Sequence, residues 1–430
     1  MVRLQTSTNI RITVIHFCFH ISLEIDGLTK KSLTSSHLDK IEIEQNRHRV
    51  NRHKLMQRTG VARLPLHYGK APRWLVVRMQ KLAREIVTII VDEYGTGYFL
   101  KRISDPFWFQ ALGCVLGYDW HSSGVTTVVT GVLKQAISQD EHGIAVCGGK
   151  GKVSLQVPLE IGDAGEKFGF SSDEIEALCY ASRMSAKVDN TAVQAGYQLY
   201  HHAFFVAEDE KWVVIQQGMC LRDRTARRYH WLSESIKNFV VEPHNAIVGD
   251  VKRDVALDMT AKESEGCRKT SVDIAKEPPK KSMRMLMSFR PAYQKSLQGW
   301  LPKTVDTAWK EYPIDVLSMP RKINWKALQE VYEFQPRGYE ELLGFRGVGP
   351  ATVRGLALIA ELVYGEKPSW KDPVKYSFCV GGKDGVPFPV DRGLYDEIIE
   401  ILENAVKQAK VDDKERINAI KRLRDFTARQ

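Results

Sequence analysis

Three short strings in the middle of the chain carry the side chains best suited to phosphate chemistry. YQLYHH at 197–202, IQQG at 215–218 and RRYHW at 227–231 each place histidine, glutamine or arginine in a strand-like run. Arginine holds a phosphate by charge and paired N–H donors, and histidine works as an acid or base near neutral pH. The strings therefore predict a catalytic or phosphate-binding site. A polar, half-solvated sheet face with satisfied histidines is the alternative.

Side chains alternate between the two faces of a strand, so only part of this set can share one face. Arg228 and His230 fall on the same face, whereas His201 and His202 fall on opposite faces, and the two glutamines of IQQG are split in the same way. The candidate catalytic residues from the strands are His201, His202, Gln216, Arg228 and His230.

Two carboxylates stand near these strings and could hold a divalent metal. Asp189 lies in KVDN, and Asp119 lies in GYDWH, which also supplies His121 as a candidate. Two-metal phosphodiesterases need carboxylates close together, so Mg²⁺ or Mn²⁺ is the cofactor that this pair would take. No strict Asp…Glu-x-Lys pattern lies on the strands. Helix capping or turn formation is the competing role for each aspartate.

A second group of residues suits the backbone of DNA. Residues 341–362, ELLGFRGVGPATVRGLALIAEL, read as a helix end, a Gly-Val-Gly turn and a new helix opened by proline. Glycine permits φ > 0 and close approach of another backbone, and a helix N-terminus attracts anions. This is the helix-hairpin-helix pattern, which grips DNA phosphates without reading sequence; a hairpin that only packs is the alternative. The predicted DNA contacts are Arg346, Gly347, Val348, Gly349, Thr352 and Arg354.

Two further motifs are weaker. GGKGK at 148–152 lacks the Gly-Lys-Ser/Thr ending of a P-loop, but Lys150 and Lys152 are predicted to contact a phosphate unless the loop is a plain solvated turn. Asp391, in a Val-Asp pair, is similar to the catalytic aspartate of helix-hairpin-helix glycosylases. Ala351 stands where their bifunctional members carry a lysine, so only a monofunctional glycosylase fits.

The composition limits the classes of partner. The net charge of +10 predicts a polyanionic partner, nucleic acid or an anionic membrane face. The chain has no apolar stretch of the roughly 18 residues needed to span a bilayer, so no membrane insertion is predicted. The seven cysteines are scattered singly, without CxxC, which disfavours zinc ribbons and disulfides and favours a reducing cytoplasm.

The order of the elements predicts an α+β fold. Residues 56–262 read as one α+β domain, with N-terminal helices followed by an antiparallel meander. Residues 263–282 are charged and proline-bearing and read as a linker, and 283–430 read as an all-α domain with the helix-hairpin-helix at 339–364. Residues 1–55 do not match the rest and are predicted to lie outside the main fold, which would fit a translation start at Met56.

Several long strings are similar to the domain of unknown function 763 family of archaea and some bacteria. They are LHYGKAPRWL, SDPFWFQALGCVLGYDWHSSGVTTVVTG, AKVDN, GYQLYHH, WVVIQQG and ARRYHW. The resemblance covers about 57–424 of the chain. Members of the family end in a helix-hairpin-helix segment, so the resemblance implies a part in DNA transactions. It supplies no catalytic residue.

Together these observations predict a two-domain, cytoplasmic DNA-binding protein of DNA repair or processing. A phosphodiesterase or nuclease site would lie in the first domain, and the second would hold duplex or branched DNA. Binding is expected to tolerate sequence and to weaken with salt. The alternatives are a non-catalytic DNA-binding scaffold, a monofunctional glycosylase using Asp391, and a small-molecule enzyme with a vestigial hairpin. The oligomeric state is not predicted.

Overall fold

A five-stranded antiparallel sheet lies at the centre of the computed structural model, which describes residues 71–118, 123–249, 251–289, 320, 322–374 and 392–428. The spatial order of its strands is β1-β3-β4-β5-β6, and β2 pairs with β7 in a separate two-stranded ladder. The strands are β1 Ile144–Lys150, β2 Val193–Gln194, β3 Gln198–Ala207, β4 Trp212–Cys220, β5 Thr225–Leu232, β6 Ala246–Gly249 and β7 Leu257–Asp258.

Helices cover the first face of the sheet. The N-terminal set is α1 Arg73–Tyr94, α2 Thr96–Ser104, α3 Pro106–Val115, α4 Gly124–Ala136 and the short α5 Gln139–His142. Helix α3 begins sharply because Pro106 takes its first position and the Asp105 carboxylate accepts hydrogen bonds from the backbone N–H groups of Phe107 and Trp108.

The remaining helices follow β1 in the chain. They are α6 Val157–Phe168, α7 Ser172–Lys187, α8 Glu265–Ala275, α9 Pro279–Phe289, α10 Trp325–Phe334, α11 Tyr339–Gly344, α12 Pro350–Tyr364, α13 Arg392–Gln408 and α14 Asp413–Ala428. The segment 263–282, whose composition predicts a linker, contains α8 and the start of α9. Cys267, Val272 and Ile274 of α8 are buried, so a sparse apolar face lies among its charged residues.

The apolar side chains form two main clusters, one on each face of the sheet. Phe205 and its alternate neighbours pack with α1–α4, and Leu402 of α13 and Leu423 of α14 join the same cluster. Phe204 and its alternate neighbours pack with α6–α8 and α10–α12. An antiparallel sheet between helices confirms the α+β class predicted from the sequence. Among the described helices, none combines the length and the apolar character that a bilayer crossing requires.

Candidate functional site

The strand register aligns four polar residues in one row across the sheet. Lys150 on β1 lies opposite His201 on β3, His201 lies opposite Gln217 on β4, and Gln217 lies opposite Arg228 on β5. Residues directly opposite each other in neighbouring strands direct their side chains to the same face. We call these four residues the Lys150/Arg228 row. Lys150 is exposed at the edge of the sheet, whereas the other three side chains are buried.

The amide of Gln217, in the middle of this row, is held in one orientation. Its Oε1 accepts a hydrogen bond from the Thr126 hydroxyl of α4. Its Nε2 donates to the carbonyl oxygen of Ser123 at 2.9 Å and to the hydroxyl of Tyr200. Because both ends of the amide are engaged, Gln217 fixes the position of Tyr200.

Tyr200 joins the row through a β-bulge. The register of β3 against β4 shifts between Leu199 and His201, so Tyr200 is an additional residue with no partner opposite it. A bulge re-aims side chains, and here it brings Tyr200 to the face of His201 and Gln217. The ammonium nitrogen of Lys150 lies 5.9 Å from the centre of the Tyr200 ring. Sequence reasoning missed Tyr200 because strict alternation places neighbouring residues on opposite faces.

His201 is neutral and its tautomer is fixed. The Thr130 hydroxyl donates to the carbonyl oxygen of Thr126 at 2.7 Å, so its oxygen accepts from His201 Nε2 at 2.9 Å. Nδ1 of His201 therefore carries a lone pair, and it has no hydrogen-bond partner among the described residues. Burial lowers the pKa of His201 to about 3, and the nearby His202 and Lys150 lower it further in the same direction.

Arg228 and His230 share the same face, as the alternation predicts. Arg228 Nε donates to His230 Nε2 at 2.9 Å, and the guanidinium also donates to Gln110 Oε1 at 3.2 Å and lies 4.6 Å from the centre of the Phe109 ring. Burial lowers the pKa of His230 well below its ordinary value, and the charge of Arg228 adds to this. Burial lowers the pKa of Arg228 to about 9, which leaves it charged at neutral pH.

On the opposite face, His202 and Gln216 belong to a second set of hydrogen bonds. His202 Nδ1 donates to Gln216 Oε1 at 2.7 Å, and its Nε2 accepts from the Ser182 hydroxyl at 2.9 Å. Gln216 Nε2 donates to the Ser185 carbonyl oxygen at 3.0 Å and to the Asp189 carboxylate. Burial lowers the pKa of His202, although the hydrogen bond to Gln216 and the charge of Asp189 oppose this.

Asp189 closes this set at its other end. It lies in the π-helical turn Val188–Ala192 that follows α7, with its side chain fully buried. Its carboxylate accepts from Gln216, from Trp231 Nε1 at 2.9 Å and from His244 Nε2. His244 lies in no motif that the sequence offers and is found only from the fold. We call Ser182, His202, Gln216, Asp189, Trp231 and His244 the Asp189 network.

The sheet therefore separates the predicted catalytic residues into two groups that do not meet. His201, Arg228 and His230 lie on one face, and His202, Gln216 and Asp189 lie on the other. Asp119 and His121 lie outside the described residues. Within the described part of the chain, no group of three or more His, Cys, Asp or Glu side chains is placed to hold a metal ion. The Mg²⁺ or Mn²⁺ site stays a prediction.

The glycine-rich loop at 148–152 is fixed at its first residue. Gly148 donates its N–H to Glu160 at 2.6 Å, and its carbonyl oxygen accepts from Lys134 Nζ at 2.9 Å. Lys134 and Glu160 pair with each other at 2.6 Å. Lys150 and Lys152, the two predicted phosphate contacts, are exposed on either side of Gly151.

The two helices of the predicted hairpin surround a tight turn. Helix α11 ends at Gly344, and α12 begins at Pro350 with Gly349 before its first turn. Gly347 has a φ of 89°, and a Cβ there would lie 2.8 Å from the Ala327 Cβ, so this position requires glycine. Gly349 has a φ of −120°, and apart from its chain neighbours no atom of the described residues lies within 4 Å of its Cβ position. Only one of the two glycines therefore uses positive φ.

The predicted DNA contacts of the turn differ in exposure. Arg346 and Gly347 are exposed, and Gly349 is half-buried. Val348 and Thr352 are buried, so their side chains anchor the turn to the core. Arg354 is half-buried as well: its Nε donates to Gln194 Oε1 at 3.0 Å, its guanidinium lies 5.8 Å from the centre of the Trp370 ring, and burial lowers its pKa.

The turn is braced against the segment that carries Asp189. Lys187 Nζ donates to the Phe345 carbonyl oxygen at 3.2 Å, and burial lowers the pKa of this lysine. Gln194 Nε2 donates to the Pro350 carbonyl oxygen at 2.9 Å. Asp189 lies between these two contacts along the chain, so the Asp189 network and the turn share one supporting segment.

Fold and site together define an α+β protein whose central antiparallel sheet buries a polar network on each face, with a braced turn between α11 and α12. The chain belongs to the domain of unknown function 763 family, whose model, described as "Protein of unknown function (DUF763)", matches residues 60–390. The match includes the Lys150/Arg228 row, the Asp189 network and the turn. No curated protein and no solved structure matches the chain.

Proposed function

We propose that the protein binds the sugar–phosphate backbone of DNA through the turn at 345–350, as a sequence-tolerant DNA-binding protein of repair or processing. The observation that carries the proposal is the open space over Gly349, next to the N-terminus of the fifteen-residue helix α12. A phosphate can approach the first N–H groups of this helix closely, where the helix dipole favours negative charge.

The charges around the turn support this proposal. Arg346 is exposed beside Gly347. Lys322 and Lys326 are also exposed and stand two residues on either side of Asn324, whose Nδ2 donates to the Gly347 carbonyl oxygen at 3.4 Å. Three exposed cations therefore lie in or beside the turn. Cations at phosphates release counterions, which gives affinity without reading base sequence.

The rigidity of the turn gives a second argument. Val348 is completely buried, Gly347 is packed against Ala327, and Lys187 and Gln194 hold the carbonyl groups at the two ends of the turn. A turn fixed in this way loses little conformational entropy when a ligand binds. The rigidity of the turn therefore favours a preformed phosphate-binding site over a loop that becomes ordered only when DNA binds.

The test is Gly349→Asp with Gly349→Ala as its matched control. The aspartate places a negative charge in the open space, and neither variant meets φ strain or a steric clash. We expect Gly349→Asp to weaken binding of a short DNA duplex at least about tenfold, the effect of one charged hydrogen bond. Gly349→Ala should bind within about threefold of the wild type, and both variants should remain folded, since changes at this N-cap alter stability by only about 1 kcal/mol.

Fluorescence anisotropy with duplexes of unrelated sequence and with a branched junction would measure these affinities. Arg346→Ala should lower the slope of log affinity against log salt by about one, as expected for the loss of one phosphate contact. Equal affinity of Gly349→Asp and the wild type at moderate salt would contradict the proposal.

A second candidate, phosphodiester cleavage, is favoured by one observation: the Lys150/Arg228 row reaches solvent at Lys150. Against it, every other member of the row is buried. Incubation of labelled duplex and branched DNA with Mg²⁺, Mn²⁺ or EDTA decides between the two. Cleavage that His201→Ala abolishes and Asp189→Ala leaves intact would support an enzyme on the first face. DNA binding without cleavage under any of these conditions would support the non-catalytic DNA-binding scaffold. The monofunctional glycosylase rests on Asp391, which lies outside the described residues.

A further inference from the structure

The two ends of the Lys150/Arg228 row differ in their access to solvent. Arg228 is completely buried between β5 and the helices that cover the first face. Lys150 is exposed at the other end, and the half-buried Tyr200 stands beside it. A ligand could therefore reach the row at Lys150 and Tyr200 without any movement of the core.

The hydroxyl of Tyr200 is held as an acceptor and keeps its own proton to donate. Gln217 Nε2 donates to it, and the amide cannot reverse because Thr126 donates to Gln217 Oε1 and Ser123 accepts from Nε2. The Ser123 side chain also hydrogen-bonds the phenolic oxygen, and with Gln217 and Ser123 both donating to it the phenol keeps its own proton for a ligand. Burial raises the pKa of Tyr200, although hydrogen bonds from Gln217 and Ser123 oppose this, so the phenol remains protonated.

Lys150 is the cation that faces this phenol. Gly148 is hydrogen-bonded to both Lys134 and Glu160, and these bonds fix the end of β1 that carries Lys150. Lys134 is neutralised by Glu160, whereas Lys150 has no carboxylate partner among the described residues. The exposed ammonium lies over the Tyr200 ring, 5.9 Å from its centre, and the ammonium and the phenolic O–H are both donors. This pair suits a ligand that offers several negatively charged oxygens.

We propose that Tyr200 and Lys150 form a binding site for one phosphate group at the open end of the Lys150/Arg228 row. The phenol donates to one phosphate oxygen, and the ammonium donates to another and balances its charge. Gln217 acts as the positioning residue because it fixes the phenolic oxygen. The site stands apart from the hairpin turn, and its use for nucleic acid rests on the proposed DNA binding.

Isothermal titration with inorganic phosphate tests the site directly. Tyr200→Phe removes the donor and keeps the ring, and Lys150→Met removes the charge and keeps the length of the side chain. We expect each change to weaken phosphate binding by about tenfold to hundredfold, as for loss of a hydrogen bond to a charged group. The matched control is Lys167→Met, at an exposed lysine of α6 outside the loop, which should stay within about twofold of the wild type.

Oligonucleotides with a 5′-phosphate or a 5′-hydroxyl distinguish the source of the phosphate. If the 5′-phosphate raises the affinity of the oligonucleotide and Tyr200→Phe abolishes this increase, the site binds a terminal phosphate. If Tyr200→Phe weakens binding of both oligonucleotides equally, the site binds an internal phosphodiester. If Tyr200→Phe weakens binding of inorganic phosphate alone, the site binds a small phosphorylated ligand.

Two results would overturn the site: no phosphate binding by the wild type, or losses in Lys167→Met as large as in Lys150→Met. The Gly349→Asp variant separates this inference from the proposed function. In a Gly349→Asp background, Tyr200→Phe should still weaken phosphate binding by the same factor, so failure of the turn to bind DNA would leave the Tyr200 site standing.

Discussion

Arg227 and Asp372 form an ion pair in which neither side chain has any exposed surface. The pairing is bidentate, with Nη1 2.9 Å from Oδ1 and Nη2 2.7 Å from Oδ2. The same carboxylate accepts from the backbone N–H groups of Arg253 at 2.7 Å and Val374 at 3.2 Å. The pair therefore fastens the chain after α12 to strand β5, on the side of the sheet that carries the hairpin.

Removing one partner of this pair should destabilise the fold strongly. Asp372→Ala leaves the Arg227 guanidinium buried without its counter-charge, so we expect a loss of about 3–5 kcal/mol in the free energy of unfolding. The double variant Arg227→Met/Asp372→Leu buries no charge at this position, so its free energy of unfolding should fall clearly less than that of Asp372→Ala. Urea denaturation of both variants measures the difference. Equal losses in the single and double variants would contradict this account of the pair.

The first glycine of the GGKGK loop should be irreplaceable, unlike the third. Gly148 has a φ of 88°, and a Cβ there would overlap the His202 carbonyl oxygen and lie 2.5 Å from Val157. We expect Gly148→Ala to cost about 2–4 kcal/mol from overpacking and left-handed strain together. Gly151 has a φ of 64° but open space around it, so Gly151→Ala should cost about 1 kcal/mol. Thermal unfolding of the two variants gives the comparison.

The turn glycines offer a similar contrast on the other side of the protein. Gly347→Ala meets both a positive φ and the Ala327 side chain, and we expect it to lower stability by about 2–4 kcal/mol. Gly349→Ala meets neither obstacle and should cost at most about 1 kcal/mol, the effect of a poorer N-cap on α12. If both variants unfolded alike, the distinct roles assigned to the two glycines would be wrong.

The strand pattern was readable from the sequence because its period is a local property of the backbone. The strand-like strings YQLYHH, IQQG and RRYHW fall on β3, β4 and β5. The alternation splits His201 from His202 and keeps Arg228 with His230, as the sequence predicts. The alignment of Lys150 with His201 depends instead on the pairing of β1 with β3, two strands far apart along the chain.

Other features arise only in the folded chain. Tyr200 faces the row because a bulge breaks the alternation, and a bulge depends on how the neighbouring strand pairs. His244 reaches Asp189 from a loop that has no motif of its own. The two glycines between α11 and α12 are visible in the sequence, but which of them has a positive φ is known only from the fold, where Gly347 packs against Ala327 of α10.

The buried histidines should make the fold sensitive to mild acid. Burial lowers the pKa values of His201, His202 and His230, so all three are neutral in the folded protein at pH 7. The unfolded chain protonates them near an ordinary pKa of about 6.5. Below that pH, and down to the lowered pKa values, the unfolded state binds more protons than the folded state, so stability falls as the pH falls. Nearby charges do little to restore protonation of these histidines in the folded protein. The carboxylate of Asp189 favours protonation of His202, whereas Arg228 disfavours it at His230 and Lys150 disfavours it at His201.

His201, whose folded pKa lies near 3, contributes a slope of about 1.4 kcal/mol per pH unit once the pH lies well below 6.5. His230, whose pKa is lowered well below its ordinary value, adds to this slope, and His202 acts in the same direction. We therefore expect the wild type to lose at least about 1.4 kcal/mol per pH unit near pH 5. Denaturant titrations at pH 7, 6 and 5 measure this loss before most carboxylates begin to titrate. His201→Gln keeps a polar side chain in the row and removes one titrating group, so its slope should be smaller by about 1.4 kcal/mol per pH unit. A wild-type stability that stays constant between pH 7 and pH 5 would show that these histidines are not held neutral by the fold.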